Sequence, residues 1–441
     1  MSDAALSPSD LPTVPSGRPL IIAVAMGFGH LRAAQALADA WSVPVFEADR
    51  VPLATATEIQ LWQTTRERYE RLSRWAAKPW SWGAHGLLRW LTHVADEDAP
   101  GDFTQPTFAW RYLNRLLERG LGNTLGAFAE HHQAPVVTTF HAIAHMAERF
   151  SRVPVYCLVT DADAHRIWAP LFGERSRIVY LAPCDDVRVR LLQYGVSARR
   201  IQVTGFPLPD ALVGGVGQLA SRMALVRRLG RLDPAHAFMS TYEEEVKALL
   251  GPLSSVTGPL HMTLALGGAG AQLRIVEEIL EGVAPIISAG ELRLTIMVGT
   301  SAERRDHLAQ VAARVGLASS LGHALQLAYT PTLTDYFAAF NRIAAETDLL
   351  WTKPSELVFY AALGLPLILA PPLGVHEERN RRFVQSVGAA LEQPEPKAFG
   401  WWLRARLADG SLARAAFWGY TKMNRNGLPN ILRAVEHVAT S

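Results

Sequence analysis

Apolar and polar positions fall in short alternating blocks from Pro19 onward. Leu20 to Ala25 is a continuous apolar run, Gly27-Phe28-Gly29-His30 interrupts it, and Leu31 to Trp41 follows, rich in alanine and leucine. A short apolar run bounded by glycines reads as a buried strand, and the alanine- and leucine-rich stretch as a helix laid on it. The same rhythm predicts strands at Val43 to Phe46, Pro135 to Thr139, Val153 to Val159, Ile178 to Leu181 and Ile201 to Val203. Near Pro207-Leu208-Pro209 the pattern changes to a stretch holding Gly214, Gly215, Gly217 and the charged segment Arg222 to Arg231. A second series then starts, with strands expected at Leu260 to Leu266, Leu292 to Val298, Ala324 to Ala328, Asp348 to Trp351 and Leu365 to Leu369.

Strands alternating with helices build parallel sheets covered on both faces. The expected class is therefore α/β, with two Rossmann-like domains facing across a cleft and a helical insertion in the N-terminal one. The expected layout is a flexible leader at 1–17, an N-terminal domain at 18–208 with its insertion at about 55–130, and a connection at 209–258. A C-terminal domain at 259–400 follows, then helices at 401–441 that return to the N-terminal domain. The insertion carries five of the twelve tryptophans, Trp62, Trp75, Trp80, Trp82 and Trp90. A helix over 58–77 aligns Trp62, Tyr69, Leu72 and Ala76, with Arg71 and Arg74 roughly opposite. Such a stripe suits a core. Together with Arg66, Arg68, Lys78 and Arg89 it also suits an anionic membrane surface met through residues 58–94, since indoles seat at headgroup depth while cations meet phosphates.

Composition narrows the functional classes. At 441 residues, 49% hydrophobic and 19% charged, the chain has the material for extensive cores and too little charge for a disordered protein. Lys+Arg 43 against Asp+Glu 41 leaves a formal charge of +2, which supplies no general attraction to nucleic acid, so none is expected as a partner. Cys157 and Cys184 are too few for a disulfide framework or a four-thiolate zinc site, which fits a reducing, cytoplasmic compartment. The first 17 residues lack the basic and apolar order of a signal peptide. The longest apolar stretch, Leu363 to Val375, is broken by Pro366, Pro371 and Pro372, so no membrane-spanning helix is expected.

Candidate chemistry sits where strands end. Gly27-Phe28-Gly29-His30 follows the first strand at the sheet edge where open α/β proteins place ligands. It lacks a full dinucleotide fingerprint because position 32 is Arg. His30 is the candidate general base, since imidazole titrates near neutrality. In the second half, Gly267-Gly268-Ala269-Gly270 allows close backbone approach to a phosphate, and Thr352-Lys353-Pro354-Ser355 leads into a helix expected to start at Pro354. Glu377 and Asn380, expected in a loop with His376, are candidates to bind sugar hydroxyls.

In that order these segments resemble the two-Rossmann (GT-B) glycosyltransferases, in the group of monogalactosyldiacylglycerol synthases, processive diacylglycerol glucosyltransferases and the lipid-linked N-acetylglucosaminyltransferase. The resemblance runs from about residue 20 to 395 through AMGFGHLRAAQAL, VTDADAHRIWAP, YGVSARRIQVTGFPLP, LALGGAGAQ and TKPSELVFYAALGLPLILAPPLGVHEERNRRFVQSVGAA. It implies an inverting, metal-independent hexosyltransferase with a nucleotide-sugar donor, usually a UDP-sugar, held by the C-terminal domain. The acceptor, a lipid or other hydrophobic molecule, belongs to the N-terminal domain, and the protein is peripheral at the inner face of the membrane. The catalytic set implied is His30 with His141 and Asp161. Donor residues are Gly268, Ala269, Gly270, Lys353, Pro354, Ser355, Glu356, His376, Glu377 and Asn380; acceptor residues are Phe28, Gly29, His165 and Trp168. No cofactor is expected, and no metal, because Asp161-Ala162-Asp163, although of the Asp-x-Asp form, lies in the acceptor half. Phe359 stands where the family usually has a ribose-binding glutamate, with Glu356 one helical turn earlier. A nucleotide-sugar 2-epimerase of the same fold, or a non-catalytic ligand- or membrane-binding relative, is the alternative.

Overall fold

The computed structural model describes residues 14–15, 17–76, 102–253, 256–265, 273–372 and 374–439. The chain divides into two compact units, the first comprising Met1–Leu208, Gly374–His376 and Asn426–Ser441, the second Pro209–Leu373 and Glu377–Arg425.

In the first unit the chain runs β1 (Leu20–Ala23), α1 (Phe28–Trp41), β2 (Val45–Glu47), α2 (Ala56–Ala76), α3 (Phe108–Glu118), α4 (Asn123–His132), β3 (Val136–Thr138), α5 (His141–Phe150), β4 (Val155–Leu158), β5 (Val179–Ala182), α6 (Asp185–Gln193) and β6 (Ile201–Val203). Its six strands are all parallel in the order β2-β1-β3-β4-β5-β6. Strands buried on both faces need unbroken apolar sequence, which is what Leu20–Ala23 and Val155–Leu158 supply. Leu20, Ile22, Val136, Val155, Cys157 and Tyr180 form the centre of this core.

The second unit contains α7 (Leu219–Leu232), α8 (Met239–Leu250), β7 (Leu260–Ala265), α9 (Leu273–Ser288), β8 (Leu292–Gly299), α10 (Ala302–Arg314), β9 (Leu325–Tyr329), α11 (Leu333–Glu346) and β10 (Leu349–Thr352). A 3₁₀ helix at Glu356–Leu363, β11 (Leu367–Leu369), α12 (Val375–Val387, whose first two residues cluster with the first unit), β12 (Ala390–Glu392), α13 (Phe399–Ala408) and α14 (Ser411–Lys422) follow. The sheet is again six-stranded and parallel, β12-β11-β10-β7-β8-β9. Two parallel α/β units of this kind are the fold class read from the sequence.

Several elements differ from the expectations in an instructive way. Phe28 to His30 form the first turn of α1 and not a loop before it, so His30 is the third residue of a helix. Residues 209–258, expected to connect the halves, form α7 and α8 and belong to the second unit. Of the segment 401–441, residues 426–441 cluster with the first unit, while α13 and α14 pack in the second. The last helix, α15 (Gly427–Ala439), starts against the main chain of Phe206, where a Cβ on Gly427 would meet the carbonyl oxygen at 2.0 Å. Asn430 Nδ2 then donates to the Thr204 carbonyl at 2.8 Å. Only glycine permits that approach.

Candidate functional site

In the first unit, β1, β3 and β4 are neighbours, and each is followed at its C-terminal end by a side chain able to move or hold a proton. His30 lies in the first turn of α1, His141 opens α5 after β3, and Thr160 and Asp161 follow β4. The Nδ1 of His30 lies 2.7 Å from the carbonyl oxygen of Thr139. A carbonyl only accepts, so Nδ1 carries the hydrogen and the lone pair sits on Nε2. Thr139 returns the contact through its hydroxyl, which donates to the His30 carbonyl at 3.0 Å. The Thr160 hydroxyl lies 3.3 Å from the same Nδ1. The Thr139 main-chain carbonyl thus orients the imidazole.

Aromatic rings enclose this imidazole. Phe140 meets His30 edge-to-face at 5.0 Å, and Trp168 lies 6.3 Å away. His141 lies 4.4 Å from Phe140 and 5.3 Å from Trp168, and its Nδ1 is buried without a hydrogen-bond partner among the described residues. Burial, followed by the charges of His145, His30 and His165, holds the His141 pKa well below the usual imidazole value, so this ring stays neutral. His30 and His141, read as a catalytic pair, and Trp168, read as an acceptor residue, lie side by side in the fold. Trp62, from α2, packs on Phe140 at 6.1 Å and against the core.

The segment after β4 is held by hydrogen bonds to its own main chain. His145 Nε2 donates to the Ile167 carbonyl at 3.0 Å, Tyr180 Oη to Trp168 at 2.6 Å, Tyr194 Oη to Ala164 at 2.9 Å, and Trp110 Nε1 to Ala169 at 2.8 Å. His165 Nδ1 accepts from the Ile167 N–H at 3.2 Å, which makes Nε2 its protonated nitrogen. Asp163 is buried and binds Arg190 through both oxygens, at 2.9 and 3.3 Å. Its role here is to fix the segment that carries Asp161, His165 and Trp168. Phe28, Gly29, His165 and Asp161 are each partly exposed on these elements.

In the second unit, Thr352 Oγ1 donates to Ala265 at 2.8 Å, so the ends of β10 and β7 lie side by side. Gly268, Ala269 and Gly270, which follow β7, lie outside the described residues. The helix expected from Pro354 starts at Glu356, with Ser355 as its cap residue, and it is a 3₁₀ helix. Glu377 and Asn380, expected in a loop, are buried on α12, one turn apart on the same face, and His376 is in that helix's first turn. Lys353 Nζ pairs with Glu377 Oε1 at 2.9 Å, and Asn380 Nδ2 donates to the Pro354 carbonyl at 3.2 Å. Lys353, Pro354, Glu377 and Asn380 thus form one cluster at the end of β10. Glu356 is buried at the start of the 3₁₀ helix, while Phe359 packs on Phe383 at 5.7 Å inside the core.

The residues expected to meet a membrane divide differently. Arg66 lies 3.6 Å from the buried carboxylate of Asp49, which joins α2 to the end of β2. Arg68, Arg71, Arg74 and Trp75 lie on a part of α2 described by its backbone alone. Lys78, Trp80, Trp82, Arg89 and Trp90 lie outside the described residues. Among the described residues no helix is long and apolar enough to cross a membrane.

Sequence reasoning passed over Thr139, Thr160 and Arg190. The signal was present for the threonines, since each follows an apolar strand one or two residues before a candidate, Thr139 before His141 and Thr160 before Asp161. Arg190 gave none, because nothing in its spacing ties it to Asp163.

Two units, each built on a six-stranded parallel sheet, give the chain a two-Rossmann architecture. Its likeness in sequence is to processive diacylglycerol beta-glucosyltransferases. It is 24% identical over 278 residues to the processive diacylglycerol beta-glucosyltransferase of Bacillus subtilis (strain 168), covering 62% of this chain and 60% of that protein. To the protein of the same name from Bacillus pumilus (strain SAFR-032) it is 23% identical over 241 residues, covering 54% of this chain and 50% of that protein. The matched region thus spans half to three-fifths of these curated relatives. No family model matches the chain. Among solved structures, MurG of Acinetobacter baumannii superposes with a TM-score of 0.49 at 14% identity, over 95% of this chain and 100% of that one.

Proposed function

We propose that the protein transfers a hexosyl group from a nucleotide sugar, a UDP-sugar by family resemblance, to the hydroxyl of a lipid or other hydrophobic acceptor. The observation that carries this reading is the His30 imidazole, locked by the Thr139 carbonyl as the tautomer whose Nε2 is the base. In the proposed reaction the acceptor oxygen attacks the anomeric carbon, its proton passes to His30 Nε2, and the bond to the diphosphate breaks with its electrons leaving on the nucleotide. Configuration inverts because attack and departure occur on opposite faces. Asp161 and His141 assist in orienting the acceptor, with Phe28, Gly29, His165 and Trp168 around it.

Lys353, Pro354, Ser355, Glu356, His376, Glu377 and Asn380 serve the donor, together with the loop at Gly268, Ala269 and Gly270. Lys353 brings positive charge to the end of β10, where it favours a departing diphosphate. Metal independence belongs to the same proposal, supported by the commitment of Asp163 to Arg190. The test is incubation of the purified protein with a panel of nucleotide sugars, with and without diacylglycerol, reading released nucleotide. Release that requires both donor and acceptor supports transfer, whereas isomerised nucleotide sugar without acceptor favours an epimerase.

A further inference from the structure

Helices α9 and α13 lie side by side in the second unit and run in the same direction. The contacts advance together along both: a Cβ on Gly282 would collide with the Pro396 carbonyl, and one on Gly400 would meet Ile286 Cγ2 at 3.2 Å. Lys397 Nζ lies 3.7 Å from Glu281, and Arg404 donates to both carboxylate oxygens of Glu291, at 2.8 and 3.1 Å. The outer face therefore carries two rows. Lys397, Trp401 and Arg404, at spacings of four and three, make a basic row on and just before α13. Glu281, Pro285 and Glu291 make an acidic row along α9 and just past its end, and all six residues are exposed. Trp401 is 74% exposed, more than any other aromatic side chain among the described residues, while Phe399 and Leu403 of the same helix are buried. Its indole stands in water between two ion pairs, with Pro285 at the matching place in the other row, and takes no part in the core of the second unit.

From this arrangement we infer that the α9–α13 face joins two copies of the chain about a two-fold axis lying along the helices. Rotation about that axis lays the basic row of one copy over the acidic row of the other. Arg404 then meets Glu291 of the second copy, Lys397 meets its Glu281, and Trp401 meets its Pro285. A two-fold axis across the rows would set base on base and acid on acid, so the charges select the first. The same charges identify the occupant. Each row is the complement of the other within one chain, so the surface that fits this face is a second copy of it, whereas a partner of one charge sign satisfies a single row. A formal charge of +2 over the whole chain adds little repulsion between copies. Self-complementary patches closed about a two-fold axis are the commonest form of soluble oligomer, and a central tryptophan ringed by charged residues is a usual source of affinity. The inference is independent of the transferase reading.

The test is analytical ultracentrifugation of the full chain over a concentration series, beside native mass spectrometry. A monomer–dimer equilibrium is expected for the parent. Trp401→Ser should raise the dimer dissociation constant at least about tenfold, because the contact loses the ring from both copies. Its circular dichroism and unfolding midpoint should stay parental, since the ring is exposed. Arg404→Glu puts acid in both rows at that end and Glu291→Arg puts base in both, so each variant alone should be monomeric at concentrations where the parent is dimeric. Their equimolar mixture should recover a dimer holding one chain of each, because every charge at that end then faces its opposite across the contact. A parent that is monomeric throughout, or a Trp401→Ser variant that dimerises like the parent, overturns the inference. So do charge variants that each dimerise alone as the parent does, or a mixture of them that stays monomeric.

Discussion

The His30 imidazole concentrates the residue-scale argument. Removing it in His30→Ala should cut transfer by about 10²- to 10⁴-fold, the usual range for a lost general base, with donor affinity and unfolding midpoint nearly unchanged; steady-state rates beside donor titrations check this. Thr139→Val removes the hydroxyl that donates to the His30 carbonyl, and should lower kcat more than it changes KM, with Thr139→Ser restoring the rate. His145 and His141 make a second, independent prediction. Burial depresses both pKa values below 6.5, so both stay neutral in the fold while the unfolded chain takes up protons as the pH falls past that value. Stability from these two groups is therefore complete above pH about 6.5 and is lost below it, by up to about 1.4 kcal/mol per pH unit for each proton. His145→Phe should flatten the acid side of the stability profile measured by urea unfolding between pH 7 and 5. His30 was legible because a glycine turn after a strand marks a ligand-facing edge. Its orienting carbonyl was not, because a main-chain partner leaves no residue type to recognise.

Among the elements, α7 shows how tertiary contacts assign a segment that composition left ambiguous. Its glycines and charges suggested a connection, yet Arg228 is fully buried and donates to the carbonyls of Thr347, Leu363 and Ala344 at 2.7, 2.7 and 3.0 Å. These carbonyls lie in the last turn and cap of α11 and at the end of the 3₁₀ helix, so a single guanidinium closes two helix ends against α7. Burial pushes the Arg228 pKa down to about 9, yet the group stays charged at neutrality. Arg228→Met should cost about 3 kcal/mol or more in unfolding free energy, because three buried carbonyls lose their donor. Arg228→Lys should recover little, since one ammonium cannot reach all three. Calorimetry of both variants checks the claim. The helix periodicity that places Glu377 and Asn380 together was present in the sequence, but the preceding prolines and glycine pointed to a loop. Strand β12 went unread because Ala390–Glu392 is three residues long and adjoins a helix of mixed polarity.

At the scale of the whole molecule, both sheets were legible because unbroken apolar runs separated by helices admit few other arrangements. The first unit carries the His30 imidazole and the aromatic rings around it, and the second carries the Lys353–Glu377–Asn380 cluster. The account divides the proposed reaction between them, acceptor chemistry in one and donor binding in the other. With no metal assigned to either, transfer should continue in excess EDTA. Complete loss restored by Mn²⁺ would instead require Asp161 in a metal site. The most direct measurement of the central claim is nucleotide release from a UDP-sugar by the parent and His30→Ala proteins, each with and without a diacylglycerol acceptor, with the lipid product identified by mass. The account predicts a hexosyl-lipid and stoichiometric UDP with the parent, both requiring acceptor and both nearly abolished in the variant. Equal turnover by the two proteins, or no acceptor-dependent release from any nucleotide sugar, would contradict it.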